Sequence, residues 1–177
     1  MRPLGLVLLL TISMTLALCL ACEPLRPPSD GTLVSNFAIN ATLQSNSCAP
    51  GYNPTSPTTF MASLRASGSS ATWSAAGSSV TGTASGNTIH VVAHSSMSPF
   101  TNCVIDQAET IDATYTTTPT DSGMPDAGSH SATITGTDTI TLSTSSGPPC
   151  AAVLLINGGV YPMLPCTATF AFTGATN

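Results

Sequence analysis

The sequence predicts an all-β fold: a single antiparallel meander domain that closes as an up-and-down barrel, with a β-sandwich as the alternative. Apolar and polar residues alternate along most of the chain after residue 36, and a period of two is typical of strands with one buried face. Threonine and other β-branched residues fill these runs and favour strands over helices. The runs are separated by turn-forming pairs, among them Gly68-Ser69, Gly77-Ser78 and Gly86-Asn87, so neighbouring strands are expected to pair antiparallel.

The strands are predicted in order from apolar residues at every second position. The strong runs are Phe37–Leu43, Phe60–Ala66, Ile89–Ala93, Ile111–Tyr115, Ala132–Ile134 with Ile140–Leu142, and Leu164–Phe172. Weaker runs are Ala71–Ala75, Val80–Ala84, Phe100–Ile105 and Ala151–Ile156. Between Ala132 and Leu142 the inward apolar residues are expected to alternate with threonine and aspartate. A polar tract rich in Pro, Gly and Asp predicts a mobile loop over 117–130.

Residues 1–21 have the layout of a secretory signal peptide. Arg2 gives a positively charged start, Leu4–Leu20 is an apolar run, and small residues follow it. A retained transmembrane anchor is the alternative. The run lies near the lower limit for crossing a bilayer, about 17 residues, and no basic stop-transfer flank follows it. The pattern therefore favours export.

The end of this leader, Leu18-Cys19-Leu20-Ala21-Cys22, resembles the lipobox of bacterial lipoproteins. In that family the cysteine after the small residue is lipidated and becomes the new N-terminus, although Cys19 stands where the family usually has Leu. The resemblance implies a membrane anchor of acyl chains, such as palmitate, at Cys22. It also implies an outer-membrane lipoprotein that faces the periplasm or the cell surface. Ordinary cleavage after Ala21, which would give a free secreted protein, is the alternative.

The cysteine count agrees with this interpretation. Of six cysteines, signal cleavage removes Cys19, and lipidation at Cys22 leaves an even set of four. Exported cysteines are expected to pair. Three pairings of the four are possible, and we favour Cys48–Cys103 with Cys150–Cys166. A zinc site is disfavoured because no two cysteines have the C-x2-C spacing.

The composition limits the kinds of partner. Residues 22–35 hold the lipidated cysteine and a Pro-rich tether, and 36–177 form the all-β domain. After the leader only Arg26 and Arg65 are basic, against eight acidic residues, and charged residues make up 6% of the chain. Nucleic acid is excluded because its binding needs a row of cations. Attachment to a membrane must therefore come from the acyl chains at Cys22.

Two histidines are the obvious candidates for metal ligands. His90 and His94 lie on the same face of a predicted strand because their separation is even. Four strand residues span roughly 13 Å, which is too far for one ion. We expect two exposed histidines, no metal site and no cofactor.

Asp106, Glu109 and Asp112 form the densest acidic cluster. Paired carboxylates can hydrolyse glycosides, but we expect Asp106 and Glu109 near a turn and Asp112 on the outer face of its strand. Asp121 and Asp126 could hold calcium only loosely, because they lack the spacing of a calcium loop. The sequence contains no G-x-S-x-G motif, P-loop or dinucleotide fingerprint.

These observations favour a non-catalytic lipoprotein of the cell envelope that serves as a binding or structural module. Its partner would be an envelope protein or a small apolar ligand. The alternative is a lipocalin-like carrier of a small apolar ligand, by analogy of fold alone. A hydrolase that uses the Asp106–Asp112 acids is the third hypothesis. An enclosed volume of a few hundred cubic ångströms would favour the carrier, and acids that converge with a histidine in one cleft would favour the hydrolase.

Overall fold

Eight antiparallel strands close into one up-and-down barrel in which the last strand pairs with the first. This is a computed structural model, and it describes residues 31–100, 103–119, 130–144 and 148–176. The predicted signal peptide, Cys22 and the Pro-rich part of the tether lie outside the described residues. Within the described ranges, no helix has the length and apolar character needed to cross a bilayer. The barrel confirms the predicted fold class and decides against the sandwich.

The strands follow one another around the barrel in sequence order. They are β1 Thr32–Asn46, β2 Thr58–Ser67, β3 Ser70–Ala75, β4 Ser78–Ser85, β5 Thr88–Phe100, β6 Cys103–Pro119, β7 His130–Thr144 and β8 Cys166–Thr176. Two short 3₁₀ helices, Pro148–Val153 and Leu155–Asn157, lie between β7 and β8.

Tight turns join β2 to β3, β3 to β4 and β4 to β5. Gly68, Gly77 and Gly86 have φ angles of 57°, 82° and 59°, which is the left-handed region that glycine adopts without steric cost. Ala76, beside Gly77, also has a positive φ of 50°. The predicted turns at these three glycines are confirmed.

The barrel has two distinct ends. At the hairpin end lie the start of β1, the β2–β3 and β4–β5 turns and the end of β8. At the opposite end, which we call the cystine end, lie the β3–β4 turn and the long β1–β2 and β7–β8 connections.

The core is formed by the inward residues of all eight strands. Phe37, Ile39, Leu64 and Ile134 are almost fully buried, and the rings of Trp73 and Phe172 lie 6.0 Å apart between centroids. Glycines let these side chains approach neighbouring strands. A Cβ on Gly174 would lie 2.5 Å from Cδ1 of Ile39. Small residues thus make room for large ones here.

Both disulfides lie at the cystine end, and their pairing differs from the predicted one. The bonds join Cys48 to Cys166 and Cys103 to Cys150. Closure of the barrel places the end of β1 beside the start of β8, where Asn46 pairs with Ala168. Cys48 follows β1 directly, so it meets Cys166. The preference for Cys48–Cys103 and Cys150–Cys166 was wrong because it favoured a short loop over barrel closure.

Several predicted boundaries also change. β1 begins at Thr32 and pairs with β2 from there, so the sheet includes residues that we predicted as tether up to 35. β6 continues to Pro119 and β7 begins at His130, so the connection is shorter than 117–130. Residues 120–129 of it lie outside the described residues.

Two of the weaker predicted strands are not single strands. Phe100–Ile105 includes the end of β5 and the start of β6, which pair through Phe100 and Cys103. Most of Ala151–Ile156 belongs to the 3₁₀ helices. Pro148 and Pro149 open the first of these helices, where a fixed φ and a missing backbone N–H are tolerated.

Candidate functional site

Two carboxylic acids lie on the inner face of the barrel, and we call Glu109 and Asp138 the interior acid pair. On β6, Ile105 and Ile111 are buried, and Glu109 has the same parity. On β7, Ile134 and Ile140 are buried, and Asp138 has the same parity. Since alternate strand residues share a face, both carboxyl groups face the interior.

The strand register makes the two acids close neighbours. Glu109 pairs with Ile140, and Ile111 pairs with Asp138. Glu109 and Asp138 are therefore diagonal neighbours on one face, about 7–8 Å apart between Cα atoms. Two negative charges at this separation in a poorly solvated interior disfavour each other's ionisation.

The surroundings keep these groups protonated to higher pH than usual. Burial, and then the charge of Glu109, raise the pKa of Asp138 from its ordinary 3.8 to about 7. Burial also raises the pKa of Glu109. The pKa of the Tyr52 hydroxyl is raised by burial first, and then by Asp138 and Glu109. These three groups therefore share one electrostatic environment.

One oxygen of Asp138 lacks a partner. Its Oδ1 is buried and forms no hydrogen bond with any residue that the structure describes. A buried acceptor without a donor costs about 1–3 kcal/mol of stability.

Tyr52 is held in place by the β1–β2 connection. Its backbone N–H donates to the Cys48 carbonyl over 3.2 Å, and the Asn46 side-chain amide donates to the Tyr52 carbonyl over 2.7 Å. The Cys48 N–H donates to Asn46 Oδ1 over 2.9 Å. Because Cys48 is bonded to Cys166, the disulfide fixes this loop above the barrel interior.

A cavity of about 320 Å³ borders Asp138 beneath this loop, and we call it the Asp138 cavity. Tyr52 and Pro54 come from the loop, and Phe60 and Phe170 come from β2 and β8. The full lining is Ala41, Tyr52, Pro54, Thr55, Thr58, Phe60, Asp138, Ile140 and Phe170. It is mainly apolar and aromatic, with one carboxyl group.

A second cavity of about 320 Å³ borders Glu109 on the other side of the barrel, and we call it the Glu109 cavity. Its lining includes Ala75 and Ser78, which flank the β3–β4 turn at the cystine end. The other lining residues are Trp73, Val80, Val91, Ala93, His94, Ser95, Gln107, Glu109 and Ile111. Each member of the interior acid pair thus lines one of two cavities in the half of the barrel toward the cystine end.

A further depression of about 420 Å³ differs in its lining, which includes the exposed outward side chains Thr114, Thr135 and Thr137. It contains neither member of the interior acid pair.

The predicted histidines lie on the outside of the barrel. His90 Nδ1 and Asp112 Oδ1 are 2.7 Å apart, and the two side chains are 53% and 58% exposed. His94 is also exposed. Among the described residues, no group of three or more His, Cys, Asp or Glu side chains could share a metal ion.

The predicted acidic cluster is divided by the wall of the barrel. Asp112 lies on the outer face, as predicted, and Asp106 has the same parity. The expectation that Asp106 and Glu109 lie near a turn was wrong, since both are within β6. Glu109 faces inward, so the three acids do not share the cleft that the hydrolase hypothesis requires. Asp121 and Asp126 lie outside the described residues.

The sequence reasoning missed Asp138. It expected aspartate to alternate with the inward residues of this strand, but Asp138 has the same parity as Ile134 and Ile140. This shared parity was the available signal, because it places the three residues on one face if the strand is continuous. β7 is one continuous strand from His130 to Thr144.

Comparison with models of protein families, with curated protein sequences and with solved structures found no match.

Proposed function

We propose that this protein is an exported lipoprotein of the bacterial cell envelope, anchored through Cys22, whose barrel is a non-catalytic binding module for a small ligand. Two disulfides support export, since such bonds persist in oxidising compartments. The lipobox-like sequence at Leu18–Cys22 supports the anchor. An outer-membrane location that faces the periplasm or the cell surface is part of the proposal, with free secretion as its alternative.

One observation carries the binding function: Asp138, whose Oδ1 is buried without a hydrogen-bond partner among the described residues, lines the Asp138 cavity. A purely structural barrel gains stability when apolar side chains fill this position. A mainly apolar cavity with one or two polar groups is the usual form of a small-molecule site. The cavity thus supports the carrier more than a structural module.

A second candidate function is docking to an envelope protein, and one surface feature favours it. Four large apolar side chains are exposed in the β7–β8 connection, namely Leu155, Ile156, Val160 and Met163. Ile156 is 87% exposed. Clustered apolar residues on a soluble surface often mark an interface.

The test of the binding function is a fragment screen followed by backbone NMR. We expect small hydrophobic fragments with a polar group to shift the amide signals of Tyr52, Phe60, Ile140 and Phe170. Ala41→Leu fills the cavity and should abolish these shifts, because Ala41 is buried in its lining. Ala38→Leu, on the outward face of the same strand, is the matched control and should retain them.

Thermal melts of both variants establish that each is folded, so a loss of shifts cannot come from unfolding. A folded Ala41→Leu protein that binds fragments as the parent does would contradict the assignment of the site. Shifts confined to residues 154–163 would instead favour the docking function.

A further inference from the structure

We infer that the ligand of the Asp138 cavity carries a cationic nitrogen, as an organic ammonium group on a small apolar body. This inference rests on the proposed binding function and specifies the chemical class of its ligand.

The unpartnered oxygen of Asp138 requires a hydrogen-bond donor. Asp138 Oδ1 can accept a hydrogen bond and finds no donor among the described residues. A ligand that borders Asp138 and offers no donor leaves the cost of this unpaired acceptor in place. An N–H donor from the ligand removes that cost, and charged donors form the stronger hydrogen bonds.

Neither lysine nor arginine supplies a counter-ion to the interior acid pair among the described residues. The chain contains no lysine. Arg65 lies at the hairpin end, where its Nη1 donates to the Gly31 carbonyl over 3.2 Å, and His90 is paired with Asp112 on the outer face. Among the described residues, His94 lines the Glu109 cavity and no side chain that can become cationic lines the Asp138 cavity, so a positive charge beside Asp138 must come from a bound molecule.

The walls of the Asp138 cavity are partly aromatic. The aromatic side chains of Tyr52, Phe60 and Phe170 line it together with Asp138. Aromatic faces attract cations, most strongly where water is excluded. Carboxylate and aromatic rings together therefore favour an ammonium group over a neutral polar group.

The volume of the cavity and the negative charge of the interior acid pair limit the ligand further. A volume of about 320 Å³ is at the lower end of small-molecule sites, so the apolar body is short. A fatty acid of the same length would place its carboxylate beside Asp138 and Glu109, where like charges repel. The interior thus selects against anionic ligands.

The affinity for an ammonium ligand should depend on pH. The titratable groups that face Asp138 are Glu109 from β6 and Tyr52 from the β1–β2 loop; the other lining residues do not titrate. Because the pKa of Asp138 is about 7, the carboxylate population rises about ten-fold from pH 6 to pH 8. An alkylammonium ion stays protonated over this range, as lysine does.

The experiment is calorimetric titration of the purified, disulfide-bonded protein with three matched probes: hexylammonium, 1-hexanol and hexanoate. At pH 8 we expect hexylammonium to bind at least ten-fold more tightly than 1-hexanol, and hexanoate not to bind measurably. Lowering the pH to 6 should weaken hexylammonium binding about ten-fold and leave 1-hexanol unchanged.

Variants complete the test. Asp138→Asn should reduce hexylammonium affinity to that of 1-hexanol, and Glu109→Gln should reduce it less. Asp112→Asn removes a carboxylate from the outer face and should change nothing. Melting curves establish that each variant is folded.

The outcomes separate this inference from the proposed function. Equal affinity for 1-hexanol and hexylammonium, with both lost in Ala41→Leu, would overturn the cationic ligand and leave the binding function standing. Failure of every probe and every screened fragment to bind would overturn both. Hexylammonium binding that survives in folded Asp138→Asn would also overturn the inference.

Discussion

At the residue scale, Asp138 occupies an inward strand position that apolar side chains normally fill in a small barrel. Its carboxyl group has a raised pKa, so the folded protein holds a proton there that the unfolded chain has already released above pH 4. Stability contributed by this group is therefore fully present below about pH 4 and is lost as the pH rises through about 7. Glu109, whose pKa is raised by burial, acts in the same direction.

Because the pKa of Asp138 is raised in the folded protein, Asp138→Asn should change how stability depends on pH. The parent protein should lose free energy of unfolding between pH 5 and pH 8, and the variant, which cannot ionise at this position, should lose on the order of 2–3 kcal/mol less. Urea denaturation at the two pH values measures both differences. Asp112→Asn, on the outer face, is the control. The same pH dependence in Asp138→Asn and in the parent would show that Asp138 does not titrate as described.

Residue roles were predictable where parity and local chemistry decide them. The exposed positions of His90 and Asp112 followed from strand alternation. Glu109 was misplaced because the length of β6 was underestimated, and Asp138 was missed because its strand was expected to alternate differently. Both errors come from strand boundaries, which local sequence determines least well.

At the scale of elements, the strands with strong alternation and glycine turns were predicted from sequence alone. The disulfide pairing was not, because it depends on which strand ends meet when the barrel closes. The 3₁₀ segment after β7 was also missed, since its apolar residues are consistent with a buried strand when only their pattern is considered.

The two disulfides should differ in their effect on stability. The Cys48–Cys166 bond spans 118 residues and the Cys103–Cys150 bond spans 47. In the chain-entropy account, removing the longer loop should cost about 1 kcal/mol more than removing the shorter one. We expect Cys48→Ala/Cys166→Ala to be less stable than Cys103→Ala/Cys150→Ala in denaturant titrations.

Peptide mapping of the unreduced protein is the companion measurement. It should recover Cys48 linked to Cys166, and a Cys48–Cys103 peptide would contradict the barrel closure described here. A larger loss of stability from the Cys103–Cys150 variant would contradict the entropic explanation alone.

At the scale of the whole molecule, the start of β1 and the two cavities lie toward opposite ends of the barrel. β1 begins at the hairpin end, so the proposed tether reaches the barrel there, and the cavities lie toward the cystine end. The ten residues from Cys22 to Gly31 extend at most about 36 Å. An anchor at Cys22 would thus keep the hairpin end nearer the membrane and leave the cavities open toward solvent.

Loss of the anchor should release the protein from the membrane. We expect Cys22→Ser to move the chain from the membrane fraction to the soluble extracytoplasmic fraction and to remove labelling by a palmitate analogue. Ser13→Ala, which changes a residue of the leader outside the lipobox-like sequence, is the matched control and should leave both unchanged. Equal membrane retention and labelling in Cys22→Ser would contradict the lipid anchor.

The intact mass of the protein purified from its own cells tests the central claim, an exported, disulfide-bonded and lipid-anchored barrel, most directly. We predict a chain that begins at Cys22, carries the added mass of acyl groups there, and gains no mass from thiol alkylation until its disulfides are reduced. A full-length chain of 177 residues whose cysteines all react with an alkylating reagent without prior reduction would contradict it.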